Sequence, residues 1–329
     1  MSDAAPIGVL VMAYGTASGP GDIERYYTDI RGGRAPSPAF LEELVGRYEA
    51  IGNRFPLLDI TRAQAAGIEA ELNRHGRGSF RSYLGMKHSE PTIADGVERM
   101  RADGIERSVG IVMAPHWSGM SIPTYADRAL AALGGGGPSF SCVRSFHDHP
   151  GYVTLLADRV REALEDLPEE VRGDAIVIVS AHSLPVRTFD DGTQRCLRCS
   201  DQACTASCRY HDGLSETASL IAAELGLPDD RWTTAWQSAG RTADPWWGPP
   251  IEDVVRELAT DGVPGVVVCS AGFVSDHLEI LYDLDIEARG ISERAGMAFA
   301  RTQMPNDDPA FVSMLADVVL AHLGGGPEA

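Results

Sequence analysis

Short apolar runs and longer amphipathic stretches alternate almost throughout this chain of 329 residues. That rhythm narrows the possible folds more than any other feature. Ile7–Ala13, Phe80–Leu84, Ser108–Ala114, Phe140–Ser145, Ala175–Ala181, Trp232–Trp236 and Gly265–Ala271 have the length and composition of buried strands. Between them, Phe40–Ala50, Arg62–Arg74, Pro91–Ala102, Tyr125–Leu133, Tyr152–Leu164, Leu214–Leu225 and Ile251–Leu258 repeat with a helical period. In the first of these, Phe40, Leu41, Leu44, Val45 and Tyr48 share one side. Such alternation implies an α/β fold of βαβ units with parallel sheets. Each half also has a strand ending in histidine and a small polar residue: Ala114-Pro-His116-Trp-Ser118, and Ser180-Ala-His182-Ser183. The reading is two doubly wound, Rossmann-like domains facing a central cleft. They would span 1–147 and 148–308, with helix Pro309–Leu323 returning to pack on the first. Gly134–Gly137 and Gly324–Gly326 read as connections, because neither is set as a strand, a Gly-x-Gly-x-x-Gly turn and a helix.

Hydrophobic residues make up 44% of the chain, ample for such a core. With 28 Lys and Arg against 47 Asp and Glu, the net charge is −19. That balance repels nucleic acid and argues against a polybasic membrane patch. No apolar run approaches the length of a membrane span, and Met1-Ser-Asp-Ala-Ala-Pro leads directly towards a strand rather than through a signal segment. A cytoplasmic protein without stable membrane association is expected.

Two features carry chemistry. Glu279, Asp283 and Glu287 follow one another at four-residue spacing after the strand-like run Gly265–Ala271. On a helix they would share a face, where like charges repel unless water or a cation offsets the cost. The plain alternative is a solvated acidic helix face. The second feature is His182, which ends the apolar run Ile176–Ala181 and is followed by Ser183-Leu-Pro185. A strand-end histidine can be a hydrogen-bonded structural residue. Beside an acid at the same sheet edge, its imidazole can take a proton near neutrality or coordinate a divalent metal. Lys87-His88 and His116 also sit at strand ends, where structural or supporting roles are expected.

Six cysteines complete the picture. Cys142 and Cys269 lie in apolar runs and read as core residues. Cys196, Cys199, Cys204 and Cys208 are spaced C-x2-C-x4-C-x3-C, a strong signal for a metal centre. Zinc accepts four thiolates, although its usual structural pairs lie further apart.

Several motifs together resemble the ferrochelatase family over nearly the whole chain: Leu10-Val-Met-Ala-Tyr14-Gly-Thr16, Asp22-Ile-Glu-Arg-Tyr-Tyr27, Ser180-Ala-His-Ser-Leu-Pro185, Trp236-Gln-Ser238, Asp244-Pro-Trp246 and Gly272-Phe-Val-x-Asp-His-Leu-Glu279. Met12-Ala-Tyr14-Gly-Thr16 is similar to the coproporphyrin ferrochelatases of Gram-positive bacteria. The resemblance implies chelatase-type domains and insertion of Fe²⁺ into coproporphyrin III, giving coproheme. His182 would be the general base for a pyrrole proton and would touch iron, and Glu279 would share that metal site. Asp283 and Glu287 would relay cations or protons, and Tyr14 would contact iron from the opposite macrocycle face. Arg31, Arg47, Tyr48 and Tyr125 are the expected propionate contacts. The resemblance also implies a [2Fe–2S] cluster on the four clustered cysteines, with zinc the lesser alternative. A monomer is expected, with a later enzyme of heme formation as acceptor of the product.

Two departures bear on the substrate. Where the family often carries Gly-x-Ser-Pro-Leu, this chain has Asn53-Arg-Phe55-Pro-Leu57, which removes a serine and leaves Arg54 as the nearest replacement donor. Gly32 occupies a place where a second basic residue is common. Protoporphyrin IX is the alternative substrate, and a non-catalytic porphyrin or heme carrier, or a cluster-bearing redox sensor, is the alternative from a different class.

Overall fold

The computed structural model describes residues 5–74, 79–190, 192, 194–197 and 210–325. Two parallel four-stranded sheets dominate it. The first contains β1 (Ile7–Ala13), β2 (Phe80–Met86), β3 (Arg107–Val112) and β4 (Ser139–Cys142), in the order β2-β1-β3-β4. The second contains β5 (Ile176–His182), β8 (Trp232–Gln237), β9 (Gly265–Cys269) and β10 (Ala298–Arg301), in the order β10-β9-β5-β8. Between β5 and β8 runs an antiparallel pair, β6 (Val186–Thr188) with β7 (Gln194–Cys196).

Numbered within each sheet by chain order and read from the appropriate edge, both sheets follow the same sequence of strands, 2-1-3-4. The chain enters each sheet near its middle and turns outward in both directions, so strand order reverses beside β1 and beside β5. In open parallel sheets a crevice forms at such a reversal, outside the carboxyl ends of the strands. β1 runs into Tyr14 there, and β5 ends in His182.

The strands are buried because helices cover both faces. Val9, Leu10, Val11 and Met12 have no exposed surface, nor do Val266, Val267, Val268 and Cys269. Continuous burial of this kind explains why the strands read as apolar runs rather than alternating ones. Helix Ile93–Ala102 starts with a capping box, Thr92 and Asp95 each bonding the other's backbone. Helix Ile122–Leu133 ends on Gly134 at φ 55°, a left-handed cap that glycine adopts without strain.

Helices Pro150–Glu165 and Pro309–Leu323 join the two sheets. The latter packs against helix Leu57–Arg74 as well as Pro150–Glu165. One apolar cluster includes Val9, Ile68, Tyr152, Val177, Val267, Phe311 and Leu315, and so runs from one sheet to the other. Tyr152 is fully buried and donates a hydrogen bond of 2.9 Å to the Ala271 carbonyl just beyond β9. A second cluster packs Ile23, Tyr26, Leu44, Tyr48 and Ile51 against Leu278 and Leu281, which brings the N-terminal helices over the segment carrying the acids.

Candidate active site

His182 and Glu279 come from neighbouring strands. β5 pairs with β9, with Val179 opposite Cys269, and the chain needs only the turn through Gly272 to carry Glu279 back over the end of β5. Gly272 is essential to that turn. A Cβ at this position would lie 2.4 Å from Ala181 Cβ and 2.7 Å from Ala181 Cα, so only glycine lets the two backbones pass. His182 Nε2 then lies 3.7 Å from Glu279 Oε1, while Nδ1 meets the Ser183 carbonyl. That carbonyl can only accept, which puts the proton of a neutral ring on Nδ1 and leaves Nε2 facing Glu279 and the cleft. Behind the ring, Tyr210 donates to the His182 carbonyl at 2.8 Å.

The electrostatics follow from this pairing. Burial disfavours a charged His182, but Glu279 outweighs it and holds the imidazole pKa above its ordinary value. Burial alone would raise the Glu279 carboxyl, yet His182, supported by His277 and Arg47, brings it down to about 2. Glu279 is therefore an anion across the working range of pH, and His182 is a base whose protonated form is stabilised. His277 takes part through Nδ1, which accepts the Glu279 backbone N–H at 3.1 Å.

Asp283 and Glu287 lie on a π-helical segment, Ile280–Ala288, which Glu279 caps at its N-terminus, rather than on an α-helix. Its wider turn keeps the four-residue spacing on one face, and such turns occur often at functional sites. The three carboxylates grade from cleft to surface: Glu279 is partly exposed, Asp283 buried and Glu287 exposed. Asp283 pairs with Arg47 and accepts from Ser238 Oγ. Burial pushes its carboxyl up and Arg47 pulls it down; with Glu279 also raising it, it reaches about 7. A cavity of about 480 Å³ is lined by Glu279, Asp283 and Glu287 with Arg47, Glu252 and Trp247.

Tyr14 faces the site from the end of β1, with 42% of its surface exposed. Partial burial, and next the Glu279 carboxylate, push its phenol up to about 12, so it is protonated near neutrality. Its ring centroid is 4.6 Å from that of His88, whose Nδ1 meets Asp29 Oδ2 at 2.6 Å. Burial lowers the His88 pKa in spite of Asp29, and burial takes His116 down to about 3. His116 bonds Thr217 Oγ1 at 3.0 Å in the interior.

The structure thus brings His182, Glu279, Asp283, Glu287 and Arg47 together, with Tyr14 near enough to feel Glu279. Of the remaining expected contacts, Tyr48 and Tyr125 lie buried beside the site, Tyr48 within reach of the Glu279 and Arg47 charges and Tyr125 beside Tyr14. Arg31 is exposed, with its guanidinium 5.8 Å from the Phe40 ring centroid. Tyr48 is buried and stacked on Phe55, at a centroid distance of 4.6 Å. Tyr125 is also buried. Arg47 reaches a carboxylate of the protein itself, and its guanidinium lies 4.5 Å from the Tyr282 ring centroid. Of the cysteine run, Cys196 ends β7 and is buried; Cys199, Cys204 and Cys208 lie outside the described residues. Among the described residues, no three His, Cys, Asp or Glu side chains are grouped to hold a metal ion. Nor is any described helix long and apolar enough to cross a membrane.

Sequence reasoning passed over Ser238, Glu252 and His277. Ser238 lay in a motif, Trp236-Gln-Ser238, but its role depends on a backbone at φ 60° that aims the hydroxyl at Asp283. Glu252 arrives from a separate helix, with no sequence signal of its own.

Two doubly wound sheets, joined through a common core and carrying a histidine and an acid at a switch point, define a chelatase-type α/β protein. SirB from Bacillus subtilis, in a structure with Fe³⁺, shares this fold with a TM-score of 0.56 at 10% identity; the match covers 97% of this chain and 96% of that one. The ferrochelatase family model matches residues 6–323, and the chain belongs to the ferrochelatase family. A ferrochelatase of Deinococcus radiodurans is 41% identical over 97% of this chain and 96% of its own length. Coproporphyrin III ferrochelatases of Bacillus subtilis and Anoxybacillus flavithermus are 43% and 44% identical, covering 97% and 96% of this chain and 98% and 96% of their own lengths.

Proposed function

We propose that this protein inserts Fe²⁺ into coproporphyrin III. The observation that carries the chemistry is the His182–Glu279 pair, 3.7 Å apart at the switch point of the second sheet. Similarity to relatives named for coproporphyrin III over nearly their full length supports the choice of substrate.

Insertion exchanges two pyrrolic protons for one Fe²⁺, so the site has to accept protons and offset the water that the cation sheds. His182 Nε2 takes the two pyrrole protons one at a time, Glu279 stabilises each imidazolium that forms, and each proton passes on towards Asp283 so that the imidazole is neutral again. The same two groups present one neutral nitrogen and one anionic oxygen, a donor set suited to Fe²⁺ in transit. Asp283, poised near neutrality, passes a proton onward to Glu287 at the surface, with Arg47 and Ser238 fixing its orientation. Tyr14 offers a phenol oxygen to the opposite side of the ring. Residues 1–147 and 148–308 serve as the two walls of the cleft.

The four clustered cysteines are assigned to a [2Fe–2S] cluster. Four soft thiolates within thirteen positions suit either that cluster or zinc, and Cys196, buried at the end of a paired strand, would be one of the ligands. The cluster takes no step in the reaction above, because metal insertion transfers no net electrons.

Anaerobic uptake of Fe²⁺ with coproporphyrin III and protoporphyrin IX side by side tests the assignment. Faster turnover of coproporphyrin III is expected. Preference for protoporphyrin IX would move the substrate, and porphyrin binding without any insertion would make the protein a carrier.

A further inference from the structure

Of the 28 lysine and arginine residues in the chain, Lys87 is the only lysine. Its position is as unusual as its rarity. Lys87 follows β2, at the same sheet edge as Tyr14, and its backbone N–H bonds the Ala13 carbonyl at 2.9 Å. The ammonium nitrogen lies 4.9 Å from the Tyr125 ring centroid and 5.7 Å from that of Tyr14. It donates to Thr124 Oγ1 at 2.7 Å. An ammonium is a compact point charge on a flexible stem, whereas a guanidinium is a broad plane with a fixed fork. A niche between two ring faces suits the smaller cation.

A second cation supports it. Arg128 donates to the Lys87 carbonyl and acts on the charge states of both Tyr14 and His88. Asp29, an acid on this side, is engaged by His88 at 2.6 Å. Lys87 and Arg128 thus place two cations beside Tyr14, together with the Asp29 and Glu279 carboxylates, in a chain whose net charge is −19. Meanwhile Arg47 is occupied by Asp283, and Tyr48 and Tyr125 are buried. Of the expected propionate contacts Arg31 alone presents an exposed guanidinium, and a ring with several carboxylates, lying against Tyr14, calls for a further cation near its rim.

We propose that Lys87, backed by Arg128, is a cationic subsite that receives one carboxylate of the tetrapyrrole and favours rings rich in carboxylates. The inference rests on the tetrapyrrole reading above and names a contact within it.

The single lysine makes the test direct. The unmutated protein is treated with an amine acetylating reagent, alone, with coproporphyrin III, and with the tetramethyl ester of the same ring; acetylation at Lys87 is read from peptide masses. The acid is expected to protect Lys87 and the ester is not. In parallel, porphyrin fluorescence gives Kd as a function of salt. Lys87→Met should raise Kd for coproporphyrin III about tenfold and flatten its salt dependence, and Lys87→Arg should recover most of the affinity. Equal acetylation with and without the bound acid, or an unchanged Kd and salt dependence in Lys87→Met, would overturn the subsite while leaving the function intact. No binding of either porphyrin by the unmutated protein would overturn both.

Discussion

Glu279 Oε1 stands 3.7 Å from His182 Nε2 although the residues are 97 positions apart in sequence (279 − 182), because β5 and β9 are adjacent in one parallel sheet. Each group sets the charge of the other, and that coupling makes the pair's role measurable.

Replacing His182 with alanine removes the base but not the walls of the cleft. Metal insertion is expected to fall by at least about a hundredfold, within the usual range for loss of a general base. Porphyrin affinity, read by fluorescence, should change by less than about threefold. Insertion close to the native rate would remove His182 from the mechanism.

Glu279→Gln should lower insertion by about two orders of magnitude, since a neutral amide offsets neither iron nor imidazolium. It also has a pH signature. The carboxylate raises the His182 pKa, so without it burial dominates and that pKa drops. The acid limb of the rate–pH profile should therefore move to lower pH. An unshifted or alkaline-shifted limb in this variant would contradict the coupling.

Gly272→Ala places a methyl group against the Ala181 backbone, which flexible side chains cannot relieve. Overpacking of this kind costs about 1–3 kcal/mol, so the melting temperature of a 329-residue chain should fall by roughly 1–5 °C. Activity should fall too, because the shifted turn carries Glu279. A variant with native melting and turnover would show that the close approach is dispensable.

Asp283 gives a stability prediction. Its folded-state pKa, about 7, lies above the ordinary carboxylate value. The sign follows: its contribution is fully present below the unfolded value near 4 and is lost as pH rises through about 7. Asp283→Asn cannot ionise, so its melting temperature should change less than the native one between pH 5 and pH 8.5. Parallel melting curves across that interval would count against a buried, titrating Asp283.

For the cysteine run, protein purified anaerobically should show visible sulfur-to-iron absorption bands that disappear when iron is chelated. Colourless protein with one zinc per chain would replace the cluster by zinc.

Much of the scaffold was legible because burial leaves a plain trace. Ile7–Ala13 is a strand from end to end, and Pro309–Leu323 a helix from end to end, as their hydrophobic patterns imply. Less was visible where elements are short or only half buried. β10, Ala298–Arg301, is an edge strand with an arginine that pairs with Asp285, and its composition is not that of a core strand. Helix Ile23–Ile30 is amphipathic, but at eight residues it is too short for its period to stand out. Tyr48 and Tyr125 show the limit for the site itself: both match a family pattern, but their burial depends on neighbours far along the chain.

From sequence alone came the alternation of strands and helices, the acid spacing after β9 and the histidine at the end of β5, because periodicity and strand ends are local properties of a chain. Only the tertiary structure decided that β5 and β9 are neighbours, that Asp283 and Glu287 ride on a π-helical segment, that Arg47 is taken by Asp283, and that the one lysine lies beside Tyr14. Those are distances between remote segments. They follow from how two sheets and their shared helices pack, which no local pattern encodes.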